Sequence, residues 1–157
     1  MGYVIDRYRR LVADGELRPD PAQEQAAQLL DRLAGELEAS PKRGSILWRL
    51  TSRPQPQPRG VYMWGGVGRG KSMLMDLFFA EVRIERKRRV HFHEFMLEVH
   101  DRLRVERAKE AGDPIPQVAA DLKGEARLIA FDEMVVNNSP DAMILSRLFT
   151  ALMNAGT

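Results

Sequence analysis

The chain has 157 residues, 44% of them hydrophobic, a size and composition suited to a single globular core. Its 24 basic and 22 acidic residues leave a formal charge of +2, so bulk charge implies no strong attraction to nucleic acid or to a membrane surface. Cysteine is absent, which excludes a disulfide framework and a thiolate metal site and allows a reducing compartment. The opening residues, Met1-Gly2-Tyr3-Val4-Ile5-Asp6-Arg7, have no apolar signal core, Asp6 departs from the myristoylation pattern, and no run approaches the length of a membrane span.

Residues before about Thr51 read as helical. Val4, Tyr8 and Leu11 share one helical face, and Gly15 is a natural stop. Asp20-Pro21-Ala22-Gln23 has the form of a helix start, with Asp20 as N-cap, Pro21 in the first turn and Gln23 three residues after the cap. Gln23 is placed either to complete that cap or to reach a base edge. Ala26, Leu30, Leu33 and Leu37 then line one face, and Ile46, Leu47, Trp48 and Leu50 form a short apolar segment. Arg53-Pro54-Gln55-Pro56-Gln57-Pro58-Arg59 alternates proline, which favours a stiff, extended connector. The expected organisation is a helical extension over 1–53, a linker over 54–59 and a core over 60–157.

The core opens on Val61-Tyr62-Met63-Trp64, a candidate buried strand, followed by Gly65-Gly66-Val67-Gly68-Arg69-Gly70-Lys71-Ser72 and then Met73-Leu74-Met75-Asp76-Leu77-Phe78-Phe79, a candidate helix. A glycine, four residues and Gly-Lys-Ser between strand and helix is the P-loop, or Walker A, pattern. Bare Cα atoms let the backbone approach a triphosphate, and successive N–H groups form an anion nest completed by the positive end of the helix. Gly65 through Met73 is therefore the expected nucleotide-binding stretch. Lys71 reaches the β- and γ-phosphates, and the Ser72 hydroxyl suits Mg²⁺.

Arg83-Ile84-Glu85-Arg86-Lys87-Arg88-Arg89 reads as a solvated, basic helix end rather than a nucleic-acid patch, since no aromatic platform is interleaved. Val90-His91-Phe92-His93 suggests a second strand and Phe95-Met96-Leu97-Glu98-Val99-His100 a helix. A zinc-protease helix would need histidine at position 97, where Leu97 stands. Asp113-Pro114-Ile115-Pro116 is a turn, and Val118 to Glu125 a helix. Leu128-Ile129-Ala130-Phe131-Asp132-Glu133, four apolar residues ending in two carboxylates, has the Walker B form of a buried parallel strand whose carboxyl end opens onto a site. Asp132 is the expected metal-shell carboxylate and Glu133 the residue that orients or deprotonates an attacking water. Ser139-Pro140-Asp141 starts a last helix with Met143, Leu145, Leu148 and Leu152 among its apolar positions.

Taken together, Tyr8, Gly15, Leu17, Asp20-Pro21-Ala22-Gln23, Gly65 to Phe79, Arg88 to Met96, His100, Asp113 to Pro116, Val118 to Leu122, Phe131-Asp132-Glu133 and Asp141 to Leu145 closely resemble the ZapE family of AAA+ cell-division ATPases, whose mitochondrial relatives are the LACE-type ATPases. The stretches reading HFHEFM and DAMIL are more specific to that family than the glycine loop is. The resemblance implies an α/β fold of the P-loop NTPase, AAA+ type: a parallel sheet flanked by helices, with a helical N-terminal extension. It implies Mg²⁺-dependent ATP hydrolysis with Lys71 and Glu133 catalytic and Ser72 and Asp132 on the metal. It also implies a homo-oligomer when full length, and a bacterial cytoplasmic protein acting on a partner such as the FtsZ division ring beneath the inner membrane. Contact with the membrane is peripheral at most, and nucleic acid is not an expected partner.

Two departures stand out. The family usually continues after Phe131-Asp132-Glu133 with Phe-Gln and then a Thr-Asp pair, whereas this chain reads Met134-Val135-Val136-Asn137-Asn138. The family's next strand, its arginine finger and its lid helices would follow Thr157, so a fragment with an incomplete sheet is expected. These departures keep open a nucleotide-gated interaction module with little turnover, and the basic run 83–89 keeps open a DNA-associated AAA+ loader.

Overall fold

The computed structural model describes residues 3–39, 58–66, 70–109, 112–155 and 157. The apolar segment 46–50, the proline-rich residues 53–57 and loop residues Val67, Gly68 and Arg69 lie outside the described residues. The chain divides into two compact units, Met1–Ile84 and Glu85–Thr157.

In the first unit, helices α1 (Tyr3–Ala13), α2 (Pro21–Ala39) and α3 (Lys71–Glu81) pack on one another. The α1 stop is the expected one. Gly15 takes φ 77°, and the N–H groups of Gly15 and Glu16 return to the carbonyls of Val12 and Leu11, closing the last turn. Helix α2 starts at Asp20, whose Oδ1 accepts from the Ala22 N–H at 2.8 Å. Its buried face is Ala27, Leu30, Leu33, Ala34 and Leu37, so Ala27 replaces the expected Ala26. Against it lie Val4, Ile5 and Tyr8 of α1 and Leu74 and Phe78 of α3. Each such fully buried large side chain contributes about 1.5–3 kcal/mol. Beyond α3, the Arg83 N–H donates to Glu38 at 2.8 Å and its guanidinium stands 4.4 Å from the Tyr3 ring centroid.

The expected strand over 61–64 does not form. Those residues join no ladder, and Tyr62 and Trp64 are 70% and 83% exposed. β-propensity expresses fit to a paired, half-buried surface, and among the described residues no strand pairs with this segment.

The second unit holds β1 (Lys87–His91), α4 (Phe92–Lys109), α5 (Ile115–Glu125), β2 (Leu128–Asp132) and α6 (Ser139–Ala155). β1 and β2 pair in parallel, from Lys87 opposite Leu128 to His91 opposite Asp132. This two-stranded parallel sheet within a helix-rich fold is the incomplete α/β sheet expected of the chain. One sheet face carries Val90 and Phe131 into a core with Phe92, Phe95, Met96, Val99 and Leu103 of α4, Val118 and Leu122 of α5, and Leu145, Leu148 and Leu152 of α6. Phe131 is the aromatic centre. Its ring lies 5.9 Å from Phe92, 4.7 Å from Phe95 and 5.8 Å from Phe149, the first two edge-on.

Three local expectations change here. The basic run is not a solvated helix end: α3 stops at Glu81 and Lys87, Arg88 and Arg89 belong to β1. Strand pairing with 128–130 and acidic partners across the unit outweigh the helical reading of those residues. The α4 helix begins at Phe92, earlier than expected, so Val90 and His91 remain on the strand and His93 moves to the helix. Met143 is 69% exposed, because the buried stripe of α6 follows Leu145, Leu148 and Leu152.

Candidate nucleotide-binding site

The glycine loop lies in the first unit. Gly70 is the N-cap of α3, in the left-handed region at φ 76°, ψ 15°, and no side chain caps the helix there. A left-handed residue at this point costs a side-chain-bearing residue roughly 1–2 kcal/mol and glycine nothing. The free helix N-terminus presents backbone donors and the positive end of the helix dipole to an anion. Lys71, the first helical residue, donates from Nζ to the carbonyls of Gly65 at 2.8 Å and Gly66 at 2.7 Å. Its ammonium thus bridges the start of the loop, beside the first turn of α3. Ser72 is exposed in that turn, and Met73 is half-buried. A Cβ placed on Gly70 would fall 2.8 Å from Gln23 Nε2 and 3.2 Å from Gln23 Cδ. The Gln23 amide of α2 therefore occupies the space beside Gly70.

Asp132 ends β2 in the second unit, on the sheet face opposite Phe131. Arg89, diagonal to it on β1, donates from Nε to Oδ2 at 2.7 Å and from Nη2 to Oδ1 at 3.1 Å. These hydrogen bonds hold the Asp132 carboxyl below the usual carboxylate range, with the charges of Arg89 and neighbouring His91 adding to them against the effect of burial. Next along the chain, Glu133 is exposed and takes φ 53°, the one positive φ outside glycine among the described residues. Such a backbone costs on the order of 1–3 kcal/mol and turns the side chain off the strand line. Met134 packs under the core, and Val135 and Val136 are exposed. Asn138 caps α6: its Oδ1 accepts from the Asp141 N–H and its Nδ2 donates to Asp141 Oδ2, both at 2.8 Å. Asp141 also meets His100 Nε2 at 2.7 Å, which, with Asn138, keeps its carboxyl below the usual range.

The loop residues Gly65, Gly66, Gly70 and Lys71 are thus gathered at one helix start, and Asp132 and Glu133 at one strand end. Sequence reasoning missed the Arg89 clamp. A run of five cations in seven residues, read by itself, gave no sign that Arg89 faces an acid 43 residues later.

A family model for AFG1-like ATPases matches residues 4–157. The chain belongs to the AFG1-like ATPase family. It is 38% identical over 161 residues to the protein named Cell division protein ZapE of Escherichia coli (strain K12), covering 96% of this chain and 42% of that relative. It is 45% identical over 117 residues to Lactation elevated protein 1 homolog B of Danio rerio, covering 68% of this chain and 23% of that relative. The chain spans about two fifths of the length of the bacterial relative. No solved structure matches it. No helix among the described residues is long and apolar enough to cross a membrane.

Proposed function

We propose that this chain binds ATP at Gly65 through Met73 and, with Asp132 and Glu133, forms part of an ATPase that hydrolyses it. The observation that carries this reading is the uncapped start of α3, with a left-handed glycine before Lys71. In this reading Lys71 leaves the Gly65 and Gly66 carbonyls for the terminal phosphates, exchanging neutral acceptors for anionic ones. The donor set fits Mg²⁺: the Ser72 hydroxyl is exposed and the Asp132 carboxyl is held ionised by Arg89, and both are hard oxygen ligands. Bound Mg²⁺ would neutralise charge on the phosphate oxygens. Glu133 accepts a proton from the water that attacks the terminal phosphorus, while the bond to the bridging oxygen breaks and ADP leaves. The expected organisation of extension, linker over 54–59 and core belongs to the same proposal.

Lys71→Ala should abolish ATP binding, measured by titration calorimetry, and Glu133→Gln should bind ATP but lose turnover. Unchanged affinity in the lysine variant would sink the proposal. By likeness to the relative named for cell division, the whole protein is a cytoplasmic oligomer that remodels a protein partner such as FtsZ polymers near the inner membrane. Co-sedimentation with FtsZ polymers in ATP but not ADP tests that step. The low-turnover alternative has one observation in its favour, since Arg89 engages both oxygens of Asp132. Steady hydrolysis that depends on Glu133 would reject it.

A further inference from the structure

Gln23 stands three residues after the N-cap Asp20, where its amide is expected to accept the Asp20 N–H and complete a capping box. The structure gives that N–H to the Tyr8 hydroxyl at 3.3 Å, and the same hydroxyl donates to the Asp20 carbonyl at 3.2 Å. Tyr8 of α1 therefore does the work expected of Gln23. The Gln23 backbone N–H still supports the cap, 3.4 Å from Asp20 Oδ1, while its side chain is turned to Gly70. Its Oε1 is buried, and its Nε2 fills the space that any side chain at position 70 would need.

Gly70 joins the loop to α3. Its φ of 76° decides where the first N–H groups of the helix point. A side chain packed beside its Cα restricts that torsion. Gln23 also lies beside the residue preceding Lys71, at the phosphate end of the proposed site.

We propose that Gln23 is a positioning residue for the phosphates: its amide braces Gly70, fixes the aim of the α3 N-terminus, and ties the N-terminal extension to occupancy of the loop. The proposal rests on the nucleotide reading above and deepens it. It predicts dependence on phosphate and indifference to the base.

The test is competition of ATP, GTP and ADP against a fluorescent ADP analogue, on the wild-type chain and on Gln23→Ala, Gln23→Met and Lys71→Ala. Gln23→Met keeps length and bulk but removes the amide. Gln23→Ala should lose about tenfold in affinity for ATP and GTP alike, and Gln23→Met, which keeps the bulk against Gly70, should restore most of it. The nucleotide-free thermal midpoint of Gln23→Met should stay within about 2 °C of wild type, a shift too small for a lost packing contact. Wild-type affinity in both variants overturns the proposal, as does a loss confined to ATP, which would mark a base-reading glutamine. An equal loss in Gln23→Met and Gln23→Ala also overturns it, since bulk packed against Gly70 would then not be what aims the helix. If Lys71→Ala binds as wild type, the nucleotide reading itself fails and takes the proposal with it. If Lys71→Ala abolishes binding while Gln23 variants bind normally, only the role of Gln23 falls.

Discussion

In the first unit the candidate chemistry is in the backbone. The start of α3 carries it through N–H groups aimed by one left-handed glycine, with Lys71 folded onto loop carbonyls. In the second unit the chemistry is in side chains at a strand end. Asp132 is fixed from behind by Phe131 in an aromatic cluster and from the side by Arg89. A backbone site can be built from small residues with little burial around them, provided one φ angle is right. A carboxylate site needs a packed strand and a compensating cation. Substitutions should therefore separate the two: damage to packing unfolds the second unit, and damage to one torsion weakens ligand binding in the first.

The largest stability effect is expected at Phe131. Phe131→Ala removes the ring that meets Phe92, Phe95 and Phe149. Large aromatic deletions in cores cost about 3–5 kcal/mol, and the partial exposure of Phe131 puts this one near 3. Urea unfolding followed by circular dichroism should show it, while affinity for ADP without divalent metal should hold at temperatures where the variant stays folded. An equal loss of metal-free ADP affinity would break the contrast between the regions.

Gly70→Ala should do the reverse. Alanine at φ 76° costs roughly 1–2 kcal/mol, and its Cβ would press on the Gln23 amide, which can move only by giving up its own seat. The stability loss should therefore be smaller than for Phe131→Ala, and ADP affinity should fall by more than about tenfold as the α3 N–H groups turn away. Competition binding alongside the unfolding curve measures both. Wild-type affinity in Gly70→Ala would mean the torsion does not aim the site.

What could be read from the amino-acid order follows the same divide. Local rules placed Gly15, Asp20, most of the buried stripe of α2 and the start of α6, because each depends on residues within a turn or two, while the strand at 128–132 was legible because its apolar run does find a partner in β1. Expectations failed where a distant partner decides. Val61-Tyr62-Met63-Trp64 has strand composition, but strands exist by pairing, and among the described residues none pairs with it. Gln23 had a local role until Tyr8, 15 residues earlier, took it. Arg88 and Arg89 looked alike in sequence, yet alternation along β1 sends Arg88 to Glu98 on one face and Arg89 to Asp132 on the other. Met143 has the composition of a core residue, and the phase of the α6 stripe leaves it outside.

The smallest effect expected is electrostatic, and it falls on the second unit. Arg88 donates to Glu98, and Arg102 bridges Glu98 and Glu125, at 3.0 Å and 2.8 Å. The Arg88 hydrogen bonds, with help from Arg102, hold the Glu98 carboxyl below its ordinary value of 4.5 despite partial burial. A group whose value is depressed on folding binds its proton more readily when unfolded. Its contribution is complete above about pH 4.5 and is lost as pH falls through the lower folded value. Because the network is partly solvated, the amount at stake is about 1 kcal/mol. Urea midpoints from pH 6 down to pH 3 should therefore decline less steeply for Glu98→Gln than for wild type, with the two curves drawing together in acid. Parallel curves would show that Arg88 and Arg102 gain nothing from the charge on Glu98. In that case the sheet carrying Asp132 would be held by its parallel ladder, its aromatic face and Arg89, without help from the Glu98 charge.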